Sequence, residues 1–136
     1  MVKGILADIN VRGHVDYLVQ RMRAEPWTEF WQGLSLVVRH FEDEGLTETS
    51  TDFEVWQRCQ AEQLILLTDN RNYESPESLE ATIRQHNTPD SLPVFTIADL
   101  DKFRTRPSYR DQVLVALYDY LLRIDTVRGT GRLFVP

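Results

Sequence analysis

The sequence predicts an α/β fold, a mostly parallel sheet covered by helices on both faces, on three observations. Short apolar runs alternate with helical patterns along the whole length. Each predicted strand is brief and bounded by polar residues. Strand, helix and strand follow one another in an order that needs crossovers, and parallel neighbours are joined by crossovers. No low-complexity linker and no repeat of fixed period divides the 136 residues, so residues 1–136 read as a single domain.

Residues 3–7 form the first candidate strand, expected near the centre of the sheet. After it, Val15, Leu18, Val19 and Met22 fall at i, i+3, i+4 and i+7, an apolar stripe on one helix, which Pro26 ends or redirects. Trp27, Phe30 and Trp31 then lie close together and read as burial beside that helix. Residues 34–38 are the second strand. Thr51, Asp52, Phe53 and Glu54 form a capping box that opens a helix whose Val55, Trp56 and Cys59 face the core. Residues 64–68 are the third strand. Ser75 and Pro76 supply an N-cap and a first helical proline for a helix carrying Leu79 and Ile83 and stopping near Asn87. Residues 94–97 are the fourth strand. Pro107 opens the clearest helix, whose stripe is Val113, Leu114, Leu117, Leu121 and Ile124, with Tyr118 and Tyr120 as packing residues. Residues 128–132 read as a Gly-rich turn before a fifth strand at 133–135.

Composition narrows the function classes. With 42% hydrophobic and 26% charged residues the chain belongs with globular proteins rather than disordered ones. No apolar run approaches the roughly 20 residues that cross a bilayer, and no N-terminal apolar stretch ends in a cleavage site. No membrane association and a cytoplasmic location are therefore expected. One cysteine, Cys59, allows neither an internal disulfide nor a multi-cysteine zinc site. His14, His40 and His86 have no neighbours at metal-ligand spacing, and neither a phosphate loop nor a G-x-S-x-G serine is present.

Chemistry in open parallel sheets is sought beyond the carboxyl ends of the strands. Four of those ends are acidic here: Asp8 follows the first strand, Glu42, Asp43 and Glu44 the second, Asp69 the third, and Asp99 and Asp101 the fourth. Carboxylates converging from different strands repel one another unless cations lie between them, and hard oxygen ligands select Mg²⁺ or Mn²⁺. The chemistry such a site suits is phosphodiester hydrolysis, with water as the nucleophile. Asp52, in the first turn of a helix, is stabilised there by the helix dipole, which is reason enough for an acid at that position.

The residues from Ile5 to Val11, with Asp8 and then Asn10 closing the first strand, resemble the opening of PIN-like nuclease domains of the small toxin type. Glu44, Gly45 and Leu46, followed by Thr51 to Val55, are similar to that family's Gly-Leu loop and helix-opening aspartate, and Leu66 to Tyr73 resemble its third-strand motif. The resemblance covers residues 3–74. It implies a Rossmann-like three-layer sandwich and a metal-dependent ribonuclease. Asp8, Asp52 and Asp69 would be the catalytic and Mg²⁺ or Mn²⁺ ligating residues, with Asn10, Asn70 and Asn72 as orienting groups and Asp43 and Glu44 in reserve. A toxin-type role implies a protein antitoxin as partner. In the family pattern the third-strand acids lie two and four residues after the threonine; here those positions are Asn70 and Asn72, and the acid is Asp69. That substitution leaves a second reading, a catalytically silent module of the same fold that binds RNA or a protein.

Charge is divided unevenly. Residues 1–101 carry 8 basic and 18 acidic side chains, a net of −10, whereas residues 102–136 carry 7 basic and 3 acidic ones, a net of +4. In the basic segment Arg104, Arg106 and Arg110 alternate with Phe103 and Tyr109. They are candidate RNA contacts, cations for phosphates with aromatic faces for unpaired bases, although solvated arginines on a terminal helix would give the same pattern.

Overall fold

A computed structural model describes residues 1–71 and 75–136. Five strands, β1 (Gly4–Ala7), β2 (Val37–Arg39), β3 (Leu64–Thr68), β4 (Val94–Thr96) and β5 (Arg132–Phe134), form one sheet in the order β2-β1-β3-β4-β5, and every neighbouring pair is parallel. The expected α/β class is therefore what the chain adopts. The N-terminal strand lies near the centre of the sheet, as expected. The centre of the sheet is β3, with β1 beside it in the register Ile5 to Ile65 and Leu6 to Leu66.

Six α-helices accompany the strands among the described residues: α1 (Arg12–Arg23), α2 (Thr28–Leu34), α3 (Asp52–Glu62), α4 (Leu79–His86), α5 (Leu100–Thr105) and α6 (Pro107–Leu122). Alternation along the strands divides the core in two. Ile5, Ala7, Ile65, Leu67 and Phe95 face the stripes of α1 and α6 together with Phe103 of α5. Leu6, Leu64, Leu66 and Val94 face Val55, Trp56 and Cys59 of α3 and Leu79 and Ile83 of α4. The result is a three-layer sandwich. All residues of β1 and β3 are buried, as parallel strands covered on both faces must be.

The sequence reading placed the second strand too early. Leu34 ends α2, which closes at Ser35 in the left-handed region with φ 52°, and the strand starts only at Val37. Leu34, Leu36 and Val38 alternate as a strand would. However, Trp27, Trp31 and Leu34 recur at i, i+4 and i+7, and all three pack against the core from the helix side. Trp27 stacks on Tyr118 with ring centroids 5.4 Å apart, and the Tyr118 hydroxyl donates to the Met22 carbonyl oxygen at 2.6 Å, so both act in packing. Phe30 does not follow them: it is 48% exposed.

Two further corrections concern caps. The N-cap of α4 is Ser78, which accepts from the Ala81 N–H at 3.1 Å, whereas Ser75 belongs to the preceding turn. Residues 100–105, to which the sequence pattern assigns no element, are a helix of their own with Asp99 as N-cap. The capping box at Thr51 and Glu54, the end of α4 at Asn87 and the start of α6 at Pro107 all stand as expected.

Strand β2 lies unusually close to β1 at Gly4. A Cβ there would sit 2.2 Å from the Val37 carbonyl oxygen, a backbone atom that cannot swing away. Gly4→Ala must therefore displace β2 from the sheet edge. It is expected to lower stability by about 1 to 3 kcal/mol, seen as a lower denaturant midpoint with an unchanged slope.

Candidate active site

A strand order of 2-1-3-4-5 places a topological switch point between β1 and β3. The chain leaves β1 towards one edge and later returns past it to start β3, which opens a crevice at the carboxyl ends of these two strands. Asp8 is the first residue beyond β1, its backbone N–H still bonded to the Leu67 carbonyl oxygen at 3.1 Å as in the sheet. Thr68, fully buried at the end of β3, donates its hydroxyl hydrogen to Asp8 Oδ2 at 2.5 Å. The same hydroxyl oxygen accepts from the Asn70 backbone N–H at 3.0 Å. The chain beyond β3 is thus tied to the carboxylate beyond β1.

A cleft of about 90 Å³ opens here, lined by Asp8, Asn10, Glu48, Ser50, Asp52 and Asn70 above an apolar floor that includes Leu66. Four of the residues picked from the sequence, Asp8, Asp52, Asn10 and Asn70, meet in it. Asp52 arrives because the capping box at Thr51 fixes where α3 begins. Asp69 does not line the cleft. Its charge, and that of Asp52, nonetheless act on Asp8. Asn72 lies outside the described residues.

Glu48 and Ser50 were not foreseen. Gly45, at φ 71°, turns the chain after a short 3-10 segment so that Leu46 is buried, and the Ser50 hydroxyl accepts from the Thr47 N–H at 2.9 Å, closing the loop that carries Glu48. The sequence signal was the positive-φ glycine followed by a run of hydroxyl side chains, which marks a tight loop but not its direction.

The acids held in reserve are engaged elsewhere. Asp43 accepts from the His40 backbone N–H at 2.8 Å, and Glu44 accepts from Arg39 Nε at 2.9 Å. Glu42 pairs with Arg12 at 2.6 Å, and Asp99 caps α5. Among the histidines, His40 Nε2 lies 2.8 Å from Asp16 Oδ1, His14 contacts Arg104, and His86 packs on the Phe53 ring. Burial pushes the Cys59 thiol far up, which leaves it protonated and unreactive.

The basic segment lies apart from this cleft. Arg104 and Arg110 line a separate groove of about 380 Å³ with Gly13, His14, Tyr17 and Phe103, and Arg106 is exposed. Arg110 is already committed, donating from Nη1 to the carbonyl oxygens of Phe103 and Arg104, the open end of α5. It acts as a helix cap.

Among the described residues every polar side chain in the Asp8 cleft offers oxygen, and no cationic side chain lines it. That donor set fits a hard divalent cation. Among the described residues no three His, Cys, Asp or Glu side chains form a ready-made ligand cluster. Mg²⁺ does not require one, because it keeps several waters and is held through one or two carboxylates. Set against protein-family models, curated proteins and solved structures, the chain matches none.

Burial raises the Asp8 pKa above the ordinary 3.8, and the charges of Asp69 and Asp52 add to the rise, while the hydrogen bonds from Thr68 and the Asn10 backbone oppose it. Between 3.8 and that raised value the folded chain holds more protons than the unfolded one, so stability falls as pH rises through the window. At neutral pH ionised Asp8 is a destabilising charge. Asp8→Asn keeps an oxygen for the Thr68 hydroxyl and removes that charge. Without divalent metal it is expected to melt above wild type at pH 7, with the difference shrinking as the pH falls towards 4; thermal scans across that range check both.

Proposed function

We propose that the protein is a metal-dependent ribonuclease that hydrolyses RNA phosphodiester bonds at the cleft between the ends of β1 and β3. The observation that carries this reading is the meeting of Asp8 and Asp52 in one cleft whose polar side chains all carry oxygen, with Asp8 destabilised as an anion by burial and by two neighbouring acids. A divalent cation held by these carboxylates would relieve that repulsion and draw a phosphodiester to the cleft. The resemblance of residues 3–74 to PIN-like domains points to the same chemistry.

In this mechanism Asp8 and Asp52 would hold Mg²⁺ or Mn²⁺, and Glu48, which lines the same cleft, would accept a hydrogen bond from the attacking water. The cation would activate that water and neutralise charge that develops on the phosphate. Thr68 fixes the orientation of the Asp8 carboxylate through its 2.5 Å hydrogen bond. Asn10 and Asn70 present amide groups to the substrate at the rim of the cleft.

Asn70 also supports a second reading. It brings a neutral amide to the cleft where the family pattern has an acid, and Asp69 stands outside the lining. In that reading the fold is kept as a module that binds RNA, or a protein of antitoxin type, without cleaving.

Titration of Mn²⁺ into the wild type, with cleavage of single-stranded RNA measured alongside, separates the two. The ribonuclease reading predicts metal binding and metal-dependent cleavage, both lost in Asp8→Asn. Thr68→Val is expected to weaken metal binding by about 10- to 100-fold with the fold intact. Binding of RNA with no cleavage at millimolar Mn²⁺ favours the silent module.

A further inference from the structure

A larger concavity than the Asp8 cleft lies elsewhere. A groove of about 900 Å³ runs along edge strand β5 and α4, lined by Arg71, Glu80, Ile83, Arg84, Arg132 and Phe134, among others. Among the described residues its three arginines face a single carboxylate, so their contribution to the groove is positive in a protein of net charge −6.

Arg132 is the organising residue. Its side chain is only 8% exposed. Nε donates to Glu80 Oε2 at 3.0 Å, and Nη1 donates to the Asn70 carbonyl oxygen at 2.7 Å and to Thr96 Oγ1 at 2.6 Å. The remaining nitrogen, Nη2, is buried without a hydrogen-bond partner among the described residues. A guanidinium nitrogen in that state is poised to donate to an oxyanion with a small opening of the groove. Asn87 repeats the pattern: its Nδ2 donates to the Gly129 carbonyl oxygen at 2.7 Å, while its Oδ1 is buried and unpartnered. Arg84, its side chain 72% exposed, approaches Glu80 at 3.8 Å and, among the described residues, has no closer ion pair, so it can turn towards a ligand. Phe134, 45% exposed, offers an aromatic face beside these groups.

We propose that this groove is a phosphate-binding site, taking the phosphate group of a nucleotide on Arg132 and Arg84 and its base against Phe134. The phosphate can belong to a free mononucleotide or to a nucleic-acid strand; the recognising chemistry is shared. The site stands independently of the cleavage reading. It also lies beside the cleft, because Arg132 holds the backbone of Asn70, whose side chain lines the Asp8 cleft.

The test is a titration of the metal-free full chain followed by amide NMR shifts, with adenosine 5′-monophosphate, adenosine and a short oligoribonucleotide lacking terminal phosphates as probes. Arg84→Ala is the variant, since Arg132 also holds three structural partners. Shifts at Ile83, Gly131 and Phe134 with the monophosphate, none with adenosine, and about fivefold or greater weakening in Arg84→Ala support a free nucleotide. The same shifts with the oligonucleotide alone, again weakened in Arg84→Ala, support a strand. Equal binding of adenosine and the monophosphate, affinity unchanged in Arg84→Ala, or no shifts in the groove with any probe overturns the proposal.

Discussion

A parallel strand buried on both faces has no place for a charge until it ends, and the rest of the molecule is arranged around that constraint. Strands β1 and β3 are apolar from end to end, apart from Thr68, because helices cover both sides of the sheet. Polar chemistry is therefore concentrated at their carboxyl ends. The bond from the Thr68 hydroxyl to Asp8 is the point where the two strands pass from core to site. It satisfies a buried hydroxyl and fixes a half-buried carboxylate at the same time, so packing and site geometry share one contact.

The features legible in the sequence were those set by local physics. The stripe of α1 is fully buried as its spacing requires, and the capping box at Thr51 places Asp52 at the start of α3. The position of Asp8 follows from the length of one apolar run. What could not be read depended on tertiary choice. Residues 34–38 satisfy a strand pattern and a helix end equally well, and the packing of Trp27, Trp31 and Leu34 decides for the helix. Glu48 reaches the cleft only through the turn at Gly45, and Asp69 misses its lining although it directly follows β3. A residue number one beyond a strand specifies an edge, not the direction of a side chain.

Charge asymmetry had a similar fate. The basic C-terminal segment suggested a binding surface around Arg104, Arg106 and Arg110, but Arg110 is used to close α5. Arg132, unremarkable within a Gly-rich turn, instead gathers the ends of three elements. Its bonds to Asn70, Thr96 and Glu80 link the loop after β3, strand β4 and helix α4. Such a residue cannot be found from composition, since its partners are 36 to 62 residues away in the chain. The electrostatics of the Asp8 cleft and of the arginine groove are opposite, and the backbone of Asn70 separates them.

Whether a hard cation occupies the cleft at the switch point decides between a hydrolytic site and a silent one. The most direct measurement is an anomalous-scattering map from crystals soaked in Mn²⁺. It is predicted to show one peak within about 2 to 2.5 Å of carboxylate oxygens from both Asp8 and Asp52. A map with no peak at that cleft, or with manganese bound only to acids elsewhere, would contradict it.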